Sequence, residues 1–207
     1  MIAIILIFVS SIYISNAKDF GINIGVSIQP TFIDNDFALI SGGKLGINYK
    51  NNYYLGLAIS SNTLFKHKIN AYDIYIKSIP IFEINHYGLD LEYYFFPEDA
   101  IHLSLGVFAG NSNIYFSIVN DEADYKYDYF PNYLNGKNTL ILQPSANINL
   151  NFKAFYRIVI GISYKFYPNF EYEIPELINK DNEAIYKISS NDINGFSLNL
   201  IVRFGSF

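Results

Sequence analysis

The stretch of the chain from Tyr87 to Gly110 contains two runs in which large apolar residues occupy every second position. Pro97, Glu98 and Asp99 lie between the two runs and form a short turn. Because the side chains of a β-strand point alternately to opposite faces, each run has one apolar face and one face of small or polar residues. Each run is about nine residues long, close to the length with which a tilted strand crosses the hydrocarbon core of a membrane. The stretch therefore predicts a hairpin of two amphipathic strands.

Six further segments show the same alternation, so the sequence contains eight predicted strands. The additional strands are predicted for residues 20–30, 39–50, 53–60, 140–152, 156–165 and 196–204. Tight links at 51–52, 97–99 and 153–154 alternate along the chain with connections at 34–36, 61–79, 111–138 and 168–194, most of which are long. Because an antiparallel chain reverses direction at every connection, all tight turns are expected at one end of the sheet, together with both chain ends.

Three positions do not fit this regular pattern. Pro144 lies within a predicted strand but has no N–H to donate to a neighbouring strand, so a bulge or a local break is predicted there. Glu83 and Asn85 would fall on the apolar face of the strand that continues into residue 87. These two residues are therefore expected beyond the edge of a membrane or at a bulge.

The composition of the second face indicates which face points outward. This face consists mainly of Gly, Ser, Asn and Ala with few charges, whereas a water-facing surface normally carries many more Lys and Glu. A soluble, lipocalin-like barrel is the alternative, but eight strands enclose too little volume for the aromatic side chains, which are 18% of the chain. A sheet with its apolar face in lipid must close on itself, because an open edge would leave backbone groups unbonded. The sequence thus predicts an all-β, eight-stranded antiparallel up-and-down transmembrane β-barrel.

The first residues and the overall composition limit the other possibilities. An apolar run over residues 2–14 followed by Ser15, Asn16 and Ala17 is typical of a signal peptide, which predicts a signal segment at 1–17 and a barrel domain at 18–207. The chain has no cysteine, which excludes disulfides, thiolate metal sites and cysteine nucleophiles. Its net charge of −5 argues against a nucleic-acid partner. No cofactor or metal site is predicted.

From Phe20 to Phe204 the pattern resembles the small eight-stranded outer-membrane barrels of diderm bacteria, the OmpX, OmpA transmembrane-domain and OmpW-like superfamily. The last strand resembles the terminal signal that the barrel assembly machinery reads, through Phe196, Leu198, Leu200, Val202 and Phe204. It departs from that signal because Gly205, Ser206 and Phe207 follow, which leaves open whether Phe204 or Phe207 ends it. The resemblance implies a location in the bacterial outer membrane, contact with its lipid and lipopolysaccharide, and a monomer.

Two constellations of residues could carry chemistry. His102 and Ser104 resemble the His-x-Ser pair of outer-membrane lipid A deacylases, but they lie on the lumen face beside a tight turn, where the resemblance places no such chemistry. Asp90 and Glu92 share the lumen face with several basic residues, and buried charges are tolerated only when they are paired. We therefore expect a structural charge network in the lumen and no catalytic residues. The predicted network consists of Lys44, Asp90, Glu92, His102, Arg157, Lys165 and Arg203.

The long connections are the predicted contact surface, because loops carry function while a barrel positions them. The contact candidates, which interleave with Asp and Lys, are Tyr125, Tyr127, Tyr129, Phe130 and Tyr133. A solvated loop without a partner is the alternative. The sequence predicts a non-enzymatic outer-membrane surface protein, structural or adhesive, with a protein or glycan ligand at its loops. A porin-like conduit or binder for small apolar molecules and a lipid A-modifying enzyme are the alternatives.

Overall fold

The computed structural model describes residues 19–33, 36–62, 67–68, 78–120, 132–153, 155–173 and 187–206. The eight long strands are β1 (Phe20–Ile33), β2 (Asp36–Tyr49), β3 (Tyr53–Ser61), β4 (Ser78–Phe95), β5 (Ile101–Asn120), β6 (Asn132–Lys153), β7 (Tyr156–Lys165) and β8 (Gly195–Gly205). Shorter elements are the strands His67–Lys68, Glu171–Glu173 and Lys187–Ser189 and one helical turn, Ser190–Ile193. None of the described residues forms a helix with the length and apolar character needed to cross a membrane.

The eight strands form one closed antiparallel barrel, as predicted. Each strand pairs with the next along the chain, and β1 pairs with β8, so the sheet has no open seam at the level of these pairs. Following the cross-strand pairs once around the barrel from Asn85 of β4 leads back to β4 at Phe95, ten residues along the strand. This offset means that the strands are tilted relative to the barrel axis, as closure of a small barrel requires.

The polarity of the barrel is inside-out relative to a soluble protein. Outward-facing Leu57 and Ile59 are 62% and 66% exposed, and most other outward positions also carry large apolar side chains. Inward-facing Arg157 and Arg203 are 1% and 0% exposed. An apolar belt around a whole barrel far exceeds the patches that soluble proteins leave in water. The exposed apolar belt thus favours a barrel surrounded by lipid over a soluble barrel.

Rings of aromatic residues border the apolar belt. At the end with the tight turns, Phe20, Tyr49, Tyr53, Tyr93 and Phe95 follow one another around the barrel with ring centroids 4.9 to 6.5 Å apart. At the other end, Phe32 lies 6.1 Å from Phe37, and Tyr164 lies 5.0 Å from Phe196. Two such girdles are typical of membrane barrels, in which amphipathic rings lie at the interfaces.

The structure corrects the expected turns and irregularities. The first tight link has three residues, because β2 ends at Tyr49 and β3 begins at Tyr53. Its positive φ angles lie at Lys50 and Asn51, and Phe96, after β4, also has a positive φ. At Pro144 the predicted local break is present and a bulge is not: β6 keeps its register with β5, while the ladder with β7 stops at Ser145 and resumes in the same register between Leu142 and Phe166. Glu83 and Asn85 also lie in regular register, so the alternative of a bulge at these residues was wrong.

Strands β5 and β6 are longer than predicted. Most of residues 111–138, which the sequence suggested as a loop, continue the two strands, and the connection between them shortens to residues 121–131, outside the described part of the chain. With 18, 20 and 22 residues, β4, β5 and β6 are the longest strands of the barrel.

Candidate functional site: the filled lumen and the protruding sheet

The lumen near the tight turns is filled by a charge network. Arg203 donates hydrogen bonds to the Glu92 carboxylate and to the Tyr94 hydroxyl. Lys44 Nζ lies 2.5 Å from Asp90 Oδ2 and 3.8 Å from Glu92 Oε1. The structure therefore brings four of the seven predicted network residues together, with acidic and basic groups of β2, β4 and β8 joined across the lumen.

Two tyrosines that the sequence analysis did not single out complete this network. The Arg203 guanidinium carbon lies 4.8 Å from the ring centroid of Tyr54, and Tyr94 accepts the hydrogen bond described above. Tyr54 lies flat against the wall because a Cβ at Gly46 would approach its ring to 2.5 Å, and one at Gly56 would approach its hydroxyl to 2.1 Å. The paired glycines on the inner face beside Tyr54 were the sequence signal for this arrangement.

Of the other predicted network residues, Arg157 and His102 border the network at Tyr94, whereas Lys165 lies apart. The Arg157 guanidinium carbon lies 4.7 Å from the Tyr94 ring centroid, and its Nε donates to Asn151 Oδ1 at 2.7 Å. The His102 ring packs edge-on against Tyr94, with centroids 5.8 Å apart. Lys165 lies at the opposite end of β7 from Arg157 and donates to the Ser197 hydroxyl, so it is not part of the network beside Arg203.

The geometry around His102 and Ser104 is that of a packed lumen. Ser104 Oγ accepts a hydrogen bond from Asn149 Nδ2 at 2.9 Å, and His102 Nδ1 lies 3.2 Å from the Asp99 carbonyl oxygen. Both side chains are buried on the inner face, away from lipid. To act as a base, His102 would have to accept a hydrogen bond from the Ser104 hydroxyl and face a substrate. Instead, the hydrogen bonds of both residues run to other partners. Within the described chain, no group of three or more His, Asp or Glu could hold a metal ion.

The end of the lumen with the long connections is closed by an apolar plug. Tyr167, Phe170, Ile188 and Ile193, all from the segment between β7 and β8, are buried against strand residues. The strand residues of this cluster include Ile84, Ile114 and Ile141. The segment was predicted as an external loop, but its described part folds into the barrel mouth.

Hydrogen bonds hold the plug in place. The Tyr167 hydroxyl lies 2.7 Å from His86 Nε2, and His86 Nδ1 lies 3.1 Å from Ser60 Oγ, which ties the plug to β4 and β3. Tyr167 N donates to Asn194 Oδ1 at 2.7 Å, and the Ser190 hydroxyl donates to the Tyr167 carbonyl oxygen at 2.7 Å. The plug is thus anchored to the wall as well as within itself.

Between the network and the plug lies a cavity of about 30 Å³ lined by Ser27, Gln29, Lys44, Asp90, Gln143 and Asn199, among others. A space of this size is large enough to hold water. Its lining is polar and partly charged, which is unsuitable for an apolar molecule. Among the described residues, side chains therefore occupy the lumen on both sides of this cavity, which is too small and too polar to hold an apolar molecule.

The filled lumen leads to a conductance prediction. The purified full-length chain in a planar lipid bilayer should give a conductance equal to that of the bare bilayer, because ions meet the buried Arg203–Glu92 pair at one end and the plug at the other. The measurement is the current at fixed voltage after insertion, with a porin of known conductance as the positive control. A steady current that scales with salt concentration would show that the lumen opens.

Above the apolar belt, the polarity of β4 and β5 reverses. On the outer face, Asn85 and Glu83 follow Tyr87 in β4, while Asn111 and Asn113 follow Ala109 in β5. On the inner face at this level, Ile84, Ile114 and Ile141 are fully buried in the apolar cluster. Apolar inside and polar outside is the polarity of a sheet in water, so these strand ends rise beyond the lipid belt as a protruding sheet. The expectation that Glu83 and Asn85 lie past the membrane edge fits this arrangement.

The remaining predicted residues are the loop contact candidates and the assembly signal. Tyr125, Tyr127, Tyr129 and Phe130 fall outside the described residues, in the segment that joins β5 to β6; Tyr133 belongs to β6. The residues of the predicted assembly signal alternate along β8 with the buried Ser197, Asn199, Ile201 and Arg203. They are Phe196, Leu198, Leu200, Val202 and Phe204. That the assembly machinery reads them remains a prediction.

Comparison with known proteins shows the fold. No protein-family model matches the chain, and no curated protein matches it in sequence. Among solved structures, Neisserial surface protein A is similar, with a TM-score of 0.52, 10% identity, and coverage of 91% of this chain and 97% of that one. A major outer membrane protein from Thermus thermophilus is similar with a TM-score of 0.53, 8% identity, and coverage of 90% and 98%. These likenesses show that the chain has the fold of eight-stranded outer-membrane barrels.

Proposed function

We propose that this eight-stranded barrel is a non-enzymatic surface protein of the bacterial outer membrane, which makes contacts outside the cell through the protruding sheet of β4, β5 and β6. The reversed polarity of β4 and β5, to which β6 is paired, carries the proposal. A barrel whose only role was to cross the membrane would need no strands that continue past the lipid belt with a buried apolar inner face. Strands of 18 to 22 residues are about twice the length needed to span the hydrocarbon core.

The protruding sheet is braced, as a contact surface requires. Its inner face packs on the plug, and Lys137 of β6 donates a hydrogen bond from Nζ to the Glu171 carbonyl oxygen. The same ammonium group lies 5.8 Å from the ring centroid of Phe170. A sheet fixed in this way loses little conformational freedom on binding, which favours affinity.

The sequence at the outer end of the sheet suits a contact with a protein or a glycan. Residues 121–133 join β5 to β6 and include the first two residues of β6. Their sequence is DEADYKYDYFPNY, in which Tyr and Phe are interleaved with Asp and Lys. Tyrosine offers a large apolar ring and a hydroxyl at low entropic cost, and it is enriched where proteins meet partners. The filled lumen supports the same conclusion, because it leaves the outer surface of the chain as the place of contact.

Replacing residues 122–130 by an epitope tag of equal length tests this function. On intact cells that produce the chain, we expect antibody to bind this tag, and to bind a tag inserted between Asn51 and Asn52 only after the membrane is opened, because tight turns and long connections lie at opposite ends. On a glycan array, cells with the Asn51 tag should bind as the untagged cells do, and cells with the 122–130 replacement should not.

The two tags separate the parts of the proposal. Equal accessibility of both tags on intact cells would contradict the surface orientation. Surface exposure of the 122–130 tag without any difference in glycan binding would leave the orientation standing and contradict glycan contact through this segment. Both variants must migrate on gels as heat-modifiable barrels, so that misfolding is not mistaken for loss of contact.

A further inference from the structure

The outer face of the protruding sheet carries a row of amide side chains. Asn85 of β4, Asn113 of β5 and Asn138 of β6 are direct cross-strand neighbours. Asn111 lies on the same face of β5, two residues before Asn113. Asn111 and Asn138 are exposed, and Asn85 and Asn113 are half-buried. An amide group has donor hydrogens and an acceptor oxygen, so this row can bond hydroxyl groups, which also donate and accept.

One aromatic ring, that of Tyr115 in β5, lies beside this row. The register between β5 and β6 shifts between Ile114 and Phe116, so Tyr115 lies at a bulge of the sheet. The adjoining part of β6 contains Gly136, where a Cβ would lie 2.5 and 2.6 Å from two carbons of the Tyr115 ring. The ring therefore lies across the backbone of Gly136, in space that the side chain of any other residue would fill.

The Tyr115 ring is fixed in this position. Asn113 Nδ2 donates a hydrogen bond to the Tyr115 hydroxyl at 3.2 Å, and Gly136 supports one side of the ring. Tyr115 is nevertheless only half-buried, so part of the ring is accessible on the outer face. Asn113 Oδ1 is buried and makes no hydrogen bond to a described residue, which leaves an acceptor beside the ring for a ligand hydroxyl. A ring that is already held in place loses little conformational freedom when a ligand stacks on it.

The ring lies beyond the lipid belt. Tyr87 of β4 and Leu140 of β6, both exposed at the edge of the belt, are the cross-strand neighbours of Asn111. Tyr115 is four residues further along β5 than Asn111. With a rise of about 3.3 Å per residue and a tilt of about 40°, the ring lies roughly 10 Å above the edge of the belt. The ring therefore faces water, and a ligand reaches it from solution.

The outer face around Tyr115 has no cluster of cations among its described residues. Glu83 is the neighbour of Tyr115 on β4, and Lys68 pairs with Ile81, two positions further along β4. Lys137 of β6 bonds the plug on the inner side. Sulfated and phosphorylated ligands are bound through several Arg and Lys side chains, and a protein interface has a broad apolar centre. Amides around a single aromatic ring instead suit a neutral saccharide.

We propose that Tyr115 and the amides beside it bind a neutral, water-soluble saccharide. The C–H face of one sugar ring stacks on Tyr115, because the face of an aromatic ring is negative and attracts C–H groups. Hydroxyl groups of the same or the next sugar bond Asn113 and Asn138. The inference rests on the proposed function, contact through the protruding sheet, and gives it a ligand class and a site on the wall of the sheet, below the connection at 121–131.

Saturation-transfer difference NMR on the purified full-length chain, in micelles of a detergent without a sugar headgroup, tests the proposal. The neutral probes are maltohexaose, cellohexaose and mannohexaose, and a chondroitin sulfate hexasaccharide is the anionic probe. We expect the wild type to bind at least one neutral probe, with the strongest saturation at the C–H protons of one sugar ring. The sulfated probe should bind about tenfold more weakly, because no cluster of cations receives it.

Three substitutions locate the site. Tyr115→Ala removes the ring and Gly136→Ala displaces it, so each should weaken binding of the neutral probe about tenfold. Tyr115→Phe keeps the ring and should bind the probe as the wild type does. Tyr164→Ala is the matched control, because it removes an exposed tyrosine of the girdle on β7, away from the site, and should leave binding unchanged. Each variant must migrate as a heat-modifiable barrel, so that misfolding is not mistaken for loss of the site.

Binding of none of the neutral probes, or stronger binding of the sulfated probe, would overturn the proposal. So would binding of a neutral probe that survives both Tyr115→Ala and Gly136→Ala. The proposed function has a separate outcome on cells. If cells with Tyr115→Ala still bind glycans and cells with the 122–130 replacement do not, this site is contradicted and contact through the sheet stands. If the 122–130 tag is hidden on intact cells, the proposed function itself fails, whatever the purified chain binds.

Discussion

Replacing Arg203 by alanine should destabilise the barrel by about 3–5 kcal/mol, because the change leaves the Glu92 carboxylate buried without its hydrogen-bonded partner. Arg203 is fully buried and also stacks on Tyr54 and bonds Tyr94, so the carboxylate that it leaves behind is surrounded by protein side chains and not by bulk water. The measurement is the free energy of unfolding in detergent micelles, from urea titrations followed by far-ultraviolet circular dichroism, since the chain has no Trp.

A second variant separates loss of the ion pair from loss of packing. Arg203→Met combined with Glu92→Gln removes both charges and keeps most of the side-chain volume, so it should recover most of the stability lost in Arg203→Ala. The two single substitutions and the double substitution form a cycle whose coupling free energy reports the pair itself. A loss below about 1 kcal/mol in Arg203→Ala, the size of an exposed salt bridge, would show that the pair is solvated.

Replacing Gly205 by alanine should prevent stable closure of the barrel. Gly205 has a φ of +151°, and a Cβ there would lie 2.1 Å from the Ile22 carbonyl oxygen and 2.6 Å from Asn23 Cα, both backbone atoms of β1. The next residue seals the β1–β8 seam: Ser206 N donates to the Ile22 carbonyl oxygen at 3.0 Å, and Asn48 Nδ2 donates to the Ser206 carbonyl oxygen at 2.9 Å. Backbone strain and the clash together should cost at least about 3 kcal/mol.

Gly43→Ala is the control for the effect of any glycine-to-alanine change in a strand. Its Cβ would meet only the Gly25 carbonyl oxygen at 3.8 Å, so it should leave the barrel as stable as the wild type or slightly more so. The readout for both variants is the fraction of heat-modifiable barrel after refolding into micelles. A Gly205→Ala variant that refolds as well as Gly43→Ala would show that the seam adapts to a side chain.

The outward and inward faces of the strands could be read from the sequence, because side-chain direction in a strand depends only on the parity of the position. Leu57 and Ile59 were placed in lipid and Arg157 and Arg203 in the lumen by this rule, and the structure has them there. The tight turns followed from the spacing of the strands. Their backbone details did not, since the positive φ of Phe96 depends on how β4 meets β5.

The length of β5 and β6 escaped the sequence analysis for a physical reason. Beyond Ala109 the period of two continues, but Asn111 and Asn113 occupy the outer face and Ile114 the inner one. Where polar residues replace apolar ones on the outer face, the sequence looks like the end of a membrane strand, although the strand continues from lipid into water. The outer face of these strand ends can be assigned to water because the plug covers their inner face. The sequence did not indicate this, because the plug comes from a segment about 60 residues further along the chain.

The sequence by itself determined the periodicity of this protein, the polarity of its two faces, the number of its strands and the order of its turns, because each of these depends on residues close together in the chain. The level of each lumen residue depends on the register carried through all eight strands. For this reason only the tertiary structure decided that Lys44, Asp90, Glu92 and Arg203 meet while Lys165 lies apart, that the segment between β7 and β8 fills the mouth, and that Gly136 leaves room for the Tyr115 ring.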